Sequence, residues 1–128
     1  MKIAVLIARI LLGLVFLVFG INKIIPFLHM AMPTGDAGSL MVLMYTHGWL
    51  KFYGFVEAVG GILLLFGRYV PLGLTLLAGM ITNILLFGLT LAPDGLAIGL
   101  VVGLLEAFLV YAYRTSFAGI FDRGAQPS

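Results

Sequence analysis

The chain has 128 residues, of which 62% are hydrophobic and 9% are charged, and its net charge is +2. Because an ordinary soluble domain is about 25% charged, this composition argues against a water-soluble fold, and the length leaves room for one domain. Scattered basic residues argue against a nucleic-acid-binding protein, and the absence of cysteine excludes disulfides and thiol chemistry carried by this chain.

The first apolar segment runs from about Ile3 to Ile25 and ends at Pro26. Lys2 followed by an apolar run is also how a cleaved signal peptide begins. However, the run continues through Phe19, beyond the usual length of a signal-peptide core, and no pair of small residues marks a cleavage site closely behind it. We therefore interpret the segment as a retained membrane-spanning helix.

A long connection, Pro26–Trp49, follows the first segment. It contains the turn-forming residues Pro33, Gly35, Asp36 and Gly38 and then becomes semi-apolar over Leu40–Tyr45. We expect a turn followed by a short interfacial or re-entrant helix near Gly38–Thr46. The alternative is a plain loop that lies on the lipid headgroups.

Three more apolar segments complete the chain, at about Leu50–Gly67, Val70–Ala92 and Leu96–Tyr113. A bilayer core of about 30 Å needs roughly 17–25 helical residues, and lipid requires a backbone that satisfies its own hydrogen bonds. Each of the four segments is therefore predicted to be a helix that spans the membrane.

The last three segments are joined by the short turns Gly67-Arg68-Tyr69 and Pro93-Asp94-Gly95, which make consecutive helices antiparallel neighbours. The predicted fold is all-α: an integral membrane, antiparallel four-helix bundle over residues 1–118, followed by a polar tail over residues 119–128. We expect the stretch that begins at Thr115, which is amphipathic before it becomes polar, to lie at the membrane surface.

Basic residues near helix ends indicate the orientation, because they are more frequent on the cytoplasmic side. The two sides of the predicted bundle carry four and two of these basic residues, so we expect both termini to lie in the cytoplasm. The first group is Lys2, Arg68, Arg114 and Arg123, and the second is Lys23 and Lys51.

Each predicted span has one helical face that combines small residues with a strongly polar residue, a pattern typical of helix packing in lipid. An ionised group that faces hydrocarbon costs at least about 2.5–3.5 kcal/mol, so we expect these faces to meet in the bundle interior. The four faces are Arg9, Gly13, Phe16, Gly20 and Lys23; Gly54, Glu57, Gly61, Leu64 and Arg68; Leu76, Gly79, Asn83, Phe87 and Thr90; and Gly95, Gly99, Gly103, Glu106 and Tyr113.

Counting 1.5 Å per residue from the cytoplasmic helix ends, Arg9 and Glu106 lie at similar depth, which predicts an ion pair between them. Glu57 lies nearer the outer side, where it is expected to meet Asn83 or Lys23 or to be held in its neutral form. Two interpretations stay open for these residues: bonds that fix helix register, or a polar cavity that binds a quinone, a proton or a small anion.

The triple-glycine face Gly95, Gly99 and Gly103 could equally form a contact between two copies of the chain. His29 and His47 lie in or beside the long connection, and we interpret them as interfacial side chains rather than haem or metal ligands. No phosphate-binding loop, nucleophile triad or zinc motif is present in the sequence, so no metal site is predicted.

Several stretches resemble the DoxX family, over about residues 8–118, in the order and spacing of a few polar points within apolar sequence. The positions that match are Arg9, Lys23, Glu57, Arg68 and Asn83. Some relatives carry a histidine five residues after the asparagine, where this chain has Gly88. The similar stretches are Ala8–Phe16, Gly20–Lys23, Glu57–Arg68, Val70–Leu72, Asn83–Ile84 and Tyr113–Arg114.

The resemblance implies a small four-helix bacterial membrane protein. The family is named for a subunit of a thiosulfate:quinone oxidoreductase, and other members are linked to membrane complexes that handle thiol or oxidative stress. The expected role is thus a membrane subunit or anchor of a quinone-linked oxidoreductase complex, working with a soluble oxidoreductase subunit. A quinone headgroup would be bound by Asn83 and Glu57, with Arg9 and Glu106 also lining the interior.

Two other functions fit the same sequence. One is a non-catalytic membrane scaffold that recruits a soluble partner through Arg114–Ser128 or through the long connection. The other is a small transporter component, which at this size would need to form oligomers. The sequence alone does not decide whether the protein is an enzyme.

Overall fold

The fold is helical throughout the part of the chain that the computed structural model describes, residues 2–25, 34–91, 93, 96–121, 123–124 and 126–127. Parts of the long connection, including His29, and of the Pro93-Asp94-Gly95 turn lie outside these residues. The helices are α1 (Lys2–Ile24), α2 (Gly35–Thr46), α3 (Trp49–Phe66), α4 (Val70–Thr90), α5 (Leu96–Ala112) and a terminal 3₁₀ helix (Arg114–Phe121).

The helix ends follow local residue chemistry. Gly67 ends α3 in the left-handed conformation (φ 68°), and its N–H donates to the carbonyl oxygen of Leu63 at 3.1 Å. Glycine adopts this conformation without the steric cost that a Cβ brings. Pro71 then lies in the first turn of α4, where a missing N–H leaves no hydrogen bond unmade.

The helix predicted within the long connection is confirmed, and it is longer than expected. It begins at Gly35 rather than near Gly38 and ends at Thr46. Its only well-buried side chain is that of Ala37, and it packs against α3. A short helix with so little buried surface of its own depends on the neighbouring helix for stability.

The four long helices close into a ring, because α1 packs against α3 and α5, while α4 packs against α3 and α5. Apolar side chains from all four helices and from the terminal 3₁₀ helix fill the centre of the ring. The most buried members are Ala8, Leu12, Phe16, Leu64, Val70, Leu74, Leu77, Ile81, Val102, Leu109 and Phe117.

Two pairs of glycines bring α1 and α3 into direct backbone contact. A Cβ atom added at Gly20 would lie 2.6 Å from the carbonyl oxygen of Gly54, and one added at Gly61 would lie 2.6 Å from that of Gly13. Gly13 of α1 therefore contacts Gly61 of α3, and the later Gly20 contacts the earlier Gly54, so these two helices are antiparallel. The predicted interior faces of α1 and α3 are confirmed by this packing, except that Arg68 is exposed.

The predicted interior face of α4 is wrong. Gly79 and Asn83 are exposed, and the buried face instead contains Gly73, Leu74 and Leu77. Close packing sets the rotation of α4 about its own axis, since a Cβ atom added at Gly73 would lie 3.2 Å from the carbonyl oxygen of Gly60 in α3. The preference of the Asn83 amide for the interior is too weak to change this packing, because both faces of α4 are otherwise apolar.

Three helices, α1, α3 and α4, are long and apolar enough to cross a membrane, among the described residues. The number rises to four if α5 and the terminal 3₁₀ helix, which meet at an angle of 86°, count as one broken span. Many apolar side chains on the outside of the ring are exposed, among them Leu86, Leu89 and Leu104. Such a surface is expected for a protein that faces lipid tails.

Candidate functional site

A partly buried ion pair joins α1 to α3. Lys23 Nζ donates a hydrogen bond to Glu57 Oε2 at 2.9 Å, and the two side chains are 28% and 3% exposed, respectively. The sequence predicted that Glu57 meets either Asn83 or Lys23, or is neutral, and the structure selects Lys23. A carboxylate this deeply buried needs a partner of opposite charge to offset its lost hydration.

Glycine packing places the two charged groups within reach of each other. A Cβ atom at Gly54 would lie 2.9 Å from the Cβ atom of Lys23 and 2.5 Å from the carbonyl oxygen of Gly20. Residues 54 and 57 lie on one face of α3, as residues 20 and 23 do on α1. The close approach of the backbones therefore fixes the position of the ion pair.

The ion pair opens into a cavity of about 360 Å³, which we call the Glu57 cavity. Helices α1, α2, α3 and α4 all contribute to its walls, so the short helix α2 acts as a cover at the end of the ring where Lys23 lies. The lining residues are Lys23, Leu40, Met41, Met44, Trp49, Leu50, Tyr53, Glu57, Met80, Asn83, Ile84 and Phe87.

A second polar contact crosses the cavity between α3 and α4. Asn83 Nδ2 donates a hydrogen bond to Tyr53 Oη at 3.2 Å. Asn83 was expected in the bundle interior beside Glu57; it lines the same cavity, but its own side chain is exposed at the rim. The bound amide leaves its carbonyl oxygen available, and the tyrosine hydroxyl can donate its proton to another acceptor.

The composition of the Glu57 cavity suits a small ring with polar substituents and an apolar tail. Cavities that bind small molecules are commonly about 300–1,000 Å³, mostly apolar, with a few placed polar groups. Here the polar groups are the ion pair, Tyr53 and Asn83, and three methionine side chains form a pliable wall. The arrangement can hold carbonyl or hydroxyl oxygens at one end while apolar atoms contact the rest.

The predicted ion pair between Arg9 and Glu106 is wrong. Neither carboxyl oxygen of Glu106 has a hydrogen-bond partner among the described residues, although the side chain is only 7% exposed. The guanidinium of Arg9 instead lies against Gly67, where a Cβ atom would be 3.0 Å from Arg9 Nη1. The C-terminal end of α3 carries partial negative charge and attracts a cation, which explains this position without an acidic partner.

The glycine face of α5 is used within the chain. A Cβ atom at Gly99 would lie 3.3 Å from a methyl carbon of Ile84, and one at Gly103 would lie 3.7 Å from a methyl carbon of Leu85, both in α4. Gly95, the third member, lies outside the described residues. Association of two copies stays a prediction, but these two glycines already contact α4.

Sequence reasoning missed several residues of the Glu57 cavity. Tyr53 and Trp49 were not among the predicted site residues, although Tyr53 lies one helical turn before Glu57 and therefore shares its face. That spacing was a usable signal. The contribution of α2, through Leu40, Met41 and Met44, had no such signal, because sequence spacing does not show which helix a separate segment covers.

Gly88, which stands where some relatives have a histidine, is buried against the start of α5. A Cβ atom there would lie 3.3 Å from the Cα atom of Leu96. A larger side chain would push the two helices apart, so this position serves close packing in this chain.

Comparisons with known proteins give one family and no individual relatives. No curated protein and no solved structure is significantly similar to the chain. A family model described as DoxX matches residues 4–90, which include α1 apart from its first two residues, all of α2, α3 and α4, and every residue of the Glu57 cavity.

Proposed function

Because the chain belongs to the DoxX family, we propose that it binds a quinone headgroup in the Glu57 cavity, as the membrane subunit of a quinone-linked oxidoreductase complex. The observation that carries the proposal is the ion pair of Lys23 with the buried Glu57 at 2.9 Å, which opens into a largely apolar cavity. An intramembrane ionisable residue marks a functional site by default.

The proposed setting is an antiparallel, four-span protein of the bacterial inner membrane. Helix α5 has 17 residues, which is at the lower end of the range needed to span a bilayer core. Its packing against α1 and α4 supports the fourth span. Lys2 and Lys23 would be about 30 Å apart along α1 at 1.5 Å per residue, so each would reach one membrane surface.

The residues present fit a quinone. The ring of a quinone carries two carbonyl oxygens and, when bound, supplies an acceptor for two electrons and two protons. Tyr53 Oη and Lys23 Nζ are donors for such oxygens, and Leu50 and Phe87 offer apolar contact to the ring or tail. The electrons would come from a soluble oxidoreductase partner, which is itself part of the proposal.

Glu57 would exchange the proton that accompanies electron transfer. Its Oε2 atom already accepts a hydrogen bond from Lys23 Nζ at 2.9 Å, so a proton can pass between the two groups without movement of the backbone. Asn83 and Tyr53 would orient the ring at the rim, since their hydrogen bond fixes both side chains.

Trp49 provides a direct test, because it is the only tryptophan in the chain and it lines the cavity. Titration of the purified protein in lipid nanodiscs with a short-chain ubiquinone analogue should quench its fluorescence to saturation. We expect Glu57→Gln, which weakens the contact that positions Lys23, and Asn83→Leu, which removes the hydrogen bond to Tyr53, each to weaken binding by about tenfold. One hydrogen bond to a charged or polar group contributes roughly 1–2 kcal/mol.

Thr75→Ala is the matched control, because Thr75 is an exposed polar residue of α4 whose hydroxyl donates to the carbonyl oxygen of Pro71, outside the cavity. It should bind the quinone analogue as the wild type does. Quenching that rises linearly without saturation, and equally in all variants, would mean collision in the lipid and would contradict the site. In that case the ion pair would be a structural link between α1 and α3.

A further inference from the structure

A second cavity, of about 630 Å³, lies at the opposite end of α1 from Lys23. We call it the basic cavity. It is formed by the first turns of α1 together with the end of α5 and the residues that follow. Its lining residues are Lys2, Val5, Leu6, Arg9, Tyr111, Ala112, Tyr113 and Arg114.

The charge of the basic cavity has one sign. Lys2, Arg9 and Arg114 contribute three cations, and none of the lining residues is acidic. Like charges repel, so gathering them in one concavity costs free energy that an anion would recover. The only ion pair among the described residues joins Lys23 to Glu57 at the other end of α1, so it does not neutralise this group.

Arg9 supplies an unmet hydrogen-bond donor. Its Nε atom is buried and has no hydrogen-bond partner among the described residues. A buried donor without an acceptor is unfavourable, and an oxygen atom of a ligand would satisfy it. Contact with Gly67 at the end of α3 holds the guanidinium in place, so the group is positioned before a ligand arrives.

Arg114 is also held in position. Its Nη1 atom donates to the carbonyl oxygen of Tyr111 at 3.0 Å, and its guanidinium carbon lies 4.5 Å from the centre of the Tyr111 ring. Stacking on an aromatic ring restricts the side chain but leaves other N–H groups of the guanidinium free to bind. Arginine groups fixed in this way suit a phosphate, whose oxygens accept two hydrogen bonds side by side.

We propose that the basic cavity binds a phosphate-bearing anion, through Lys2, Arg9 and Arg114. The cavity combines these cations with the apolar side chains of Val5 and Leu6 and with two tyrosines at the ends of helices, where headgroups of a bilayer lie. The phosphate can belong to an anionic lipid headgroup or to a free phosphate in solution. This site does not depend on the proposed quinone site.

The test compares the two sources of phosphate with the full chain. Native mass spectrometry of the protein released from micelles containing phosphatidylglycerol or phosphatidylcholine measures bound lipid, and calorimetry with inorganic phosphate measures the free anion. We expect selective retention of phosphatidylglycerol or saturable binding of phosphate. The double variant Lys2→Gln/Arg114→Gln should weaken the observed binding by about thirtyfold, since each basic residue near an anionic surface contributes about fivefold.

Arg68→Gln is the matched control, because Arg68 is an exposed cation beside Gly67, at the same end of the molecule, and it does not line the cavity. It should change binding by less than about twofold. Retention of phosphatidylglycerol alone identifies a lipid site, and binding of phosphate alone identifies a soluble ligand. Absence of both, or equal weakening by Arg68→Gln, overturns the proposal.

Lys2 and Arg114 are both exposed, so their replacement should leave the fold intact. The emission spectrum of Trp49, at the far end of the ring, reports whether it does. If the double variant fails to fold, the single variant Arg114→Lys is tested in its place. It keeps the positive charge but loses the bidentate hydrogen bonding to phosphate. Unchanged binding in Arg114→Lys and in Lys2→Gln would also overturn the proposal.

Discussion

At the scale of single residues, the ionisable groups of the bundle interior differ in whether they have a partner of opposite charge. Lys23 and Glu57 form an ion pair, whereas Arg9 lies at the end of α3 beside Gly67 and Glu106 has no hydrogen-bond partner among the described residues. Only the first pair should therefore show a strong energetic coupling. The difference follows from which helices approach closely enough for two side chains to meet.

A double-mutant cycle tests this coupling. Lys23→Met leaves Glu57 buried without its partner, and in soluble proteins such a change costs about 3–5 kcal/mol. Adding Glu57→Leu should restore part of the loss. The measurement is the apparent free energy of unfolding in detergent for the wild type, both single variants and the double variant.

The matched comparison is the cycle of Arg9→Leu and Glu106→Leu. These two changes should add to within about 0.5 kcal/mol, as expected for side chains that do not interact. A rescue of Arg9→Leu by Glu106→Leu would show that the two groups do pair in the membrane. If Lys23→Met and the double variant Lys23→Met/Glu57→Leu lose the same free energy of unfolding, the coupling that we assign to the ion pair is contradicted.

At the scale of helices, contact between glycine backbones decides which faces meet. The glycines of the α1–α3 contact are seven residues apart on each helix, at Gly13 and Gly20 and at Gly54 and Gly61. Seven residues are close to two helical turns, so both glycines of a helix lie on one face. In lipid, where there is little hydrophobic drive between helices, such close contact supplies much of the stability.

Gly61→Ala should therefore destabilise the protein. The added Cβ atom would lie 2.6 Å from the carbonyl oxygen of Gly13 and 2.8 Å from the backbone nitrogen of Leu17, so α1 must move away. Overpacking of this kind typically costs about 1–3 kcal/mol. Thermal unfolding followed by circular dichroism in detergent measures the loss.

Gly79→Ala is the control for Gly61→Ala. Gly79 lies within α4 with no atom within 4 Å of an added Cβ, so alanine should be neutral or should stabilise the helix by up to about 1 kcal/mol. If both variants lose equal stability, backbone contact between α1 and α3 is not the reason.

At the scale of the whole molecule, two cavities that each contain charged side chains lie at opposite ends of one ring of helices. The Glu57 cavity lies under α2, and the basic cavity lies between the start of α1 and the end of α5. The core between them is apolar apart from the buried Glu106. A protein with this arrangement can meet a lipid-soluble molecule near one membrane surface and an anion near the other.

The proposed orientation can be measured directly, because the chain contains no cysteine. Single cysteines at the exposed positions Arg68, Ser116 and Ser39 report the side of the membrane on which each lies. We expect an impermeant maleimide added to intact spheroplasts to label Ser39→Cys only, and added to inverted vesicles to label Arg68→Cys and Ser116→Cys.

Labelling of Ser39→Cys and Ser116→Cys from the same side would contradict the proposed fourth span. Labelling of all three positions with the sides exchanged would keep the four spans and reverse the orientation.

The sequence by itself determined the helices. Apolar length, Pro71 and the glycine at position 67 set their bounds to within a few residues, and the small residues of α1 and α3 predicted the face on which these helices meet. Glu57 and Lys23 were identified as candidate site residues because charge is costly in lipid. These features depend on local chemistry, which a sequence carries in full.

Only the tertiary structure decided the rotation of α4, the partner of each charged group and the cover that α2 places over the Glu57 cavity. In a soluble protein the interior face of a helix is more apolar than its outer face. In lipid both faces are apolar, so Asn83 and Gly79 gave no reliable direction, and contacts such as Gly73 with Gly60 set it instead. Those contacts exist only once the helices have packed.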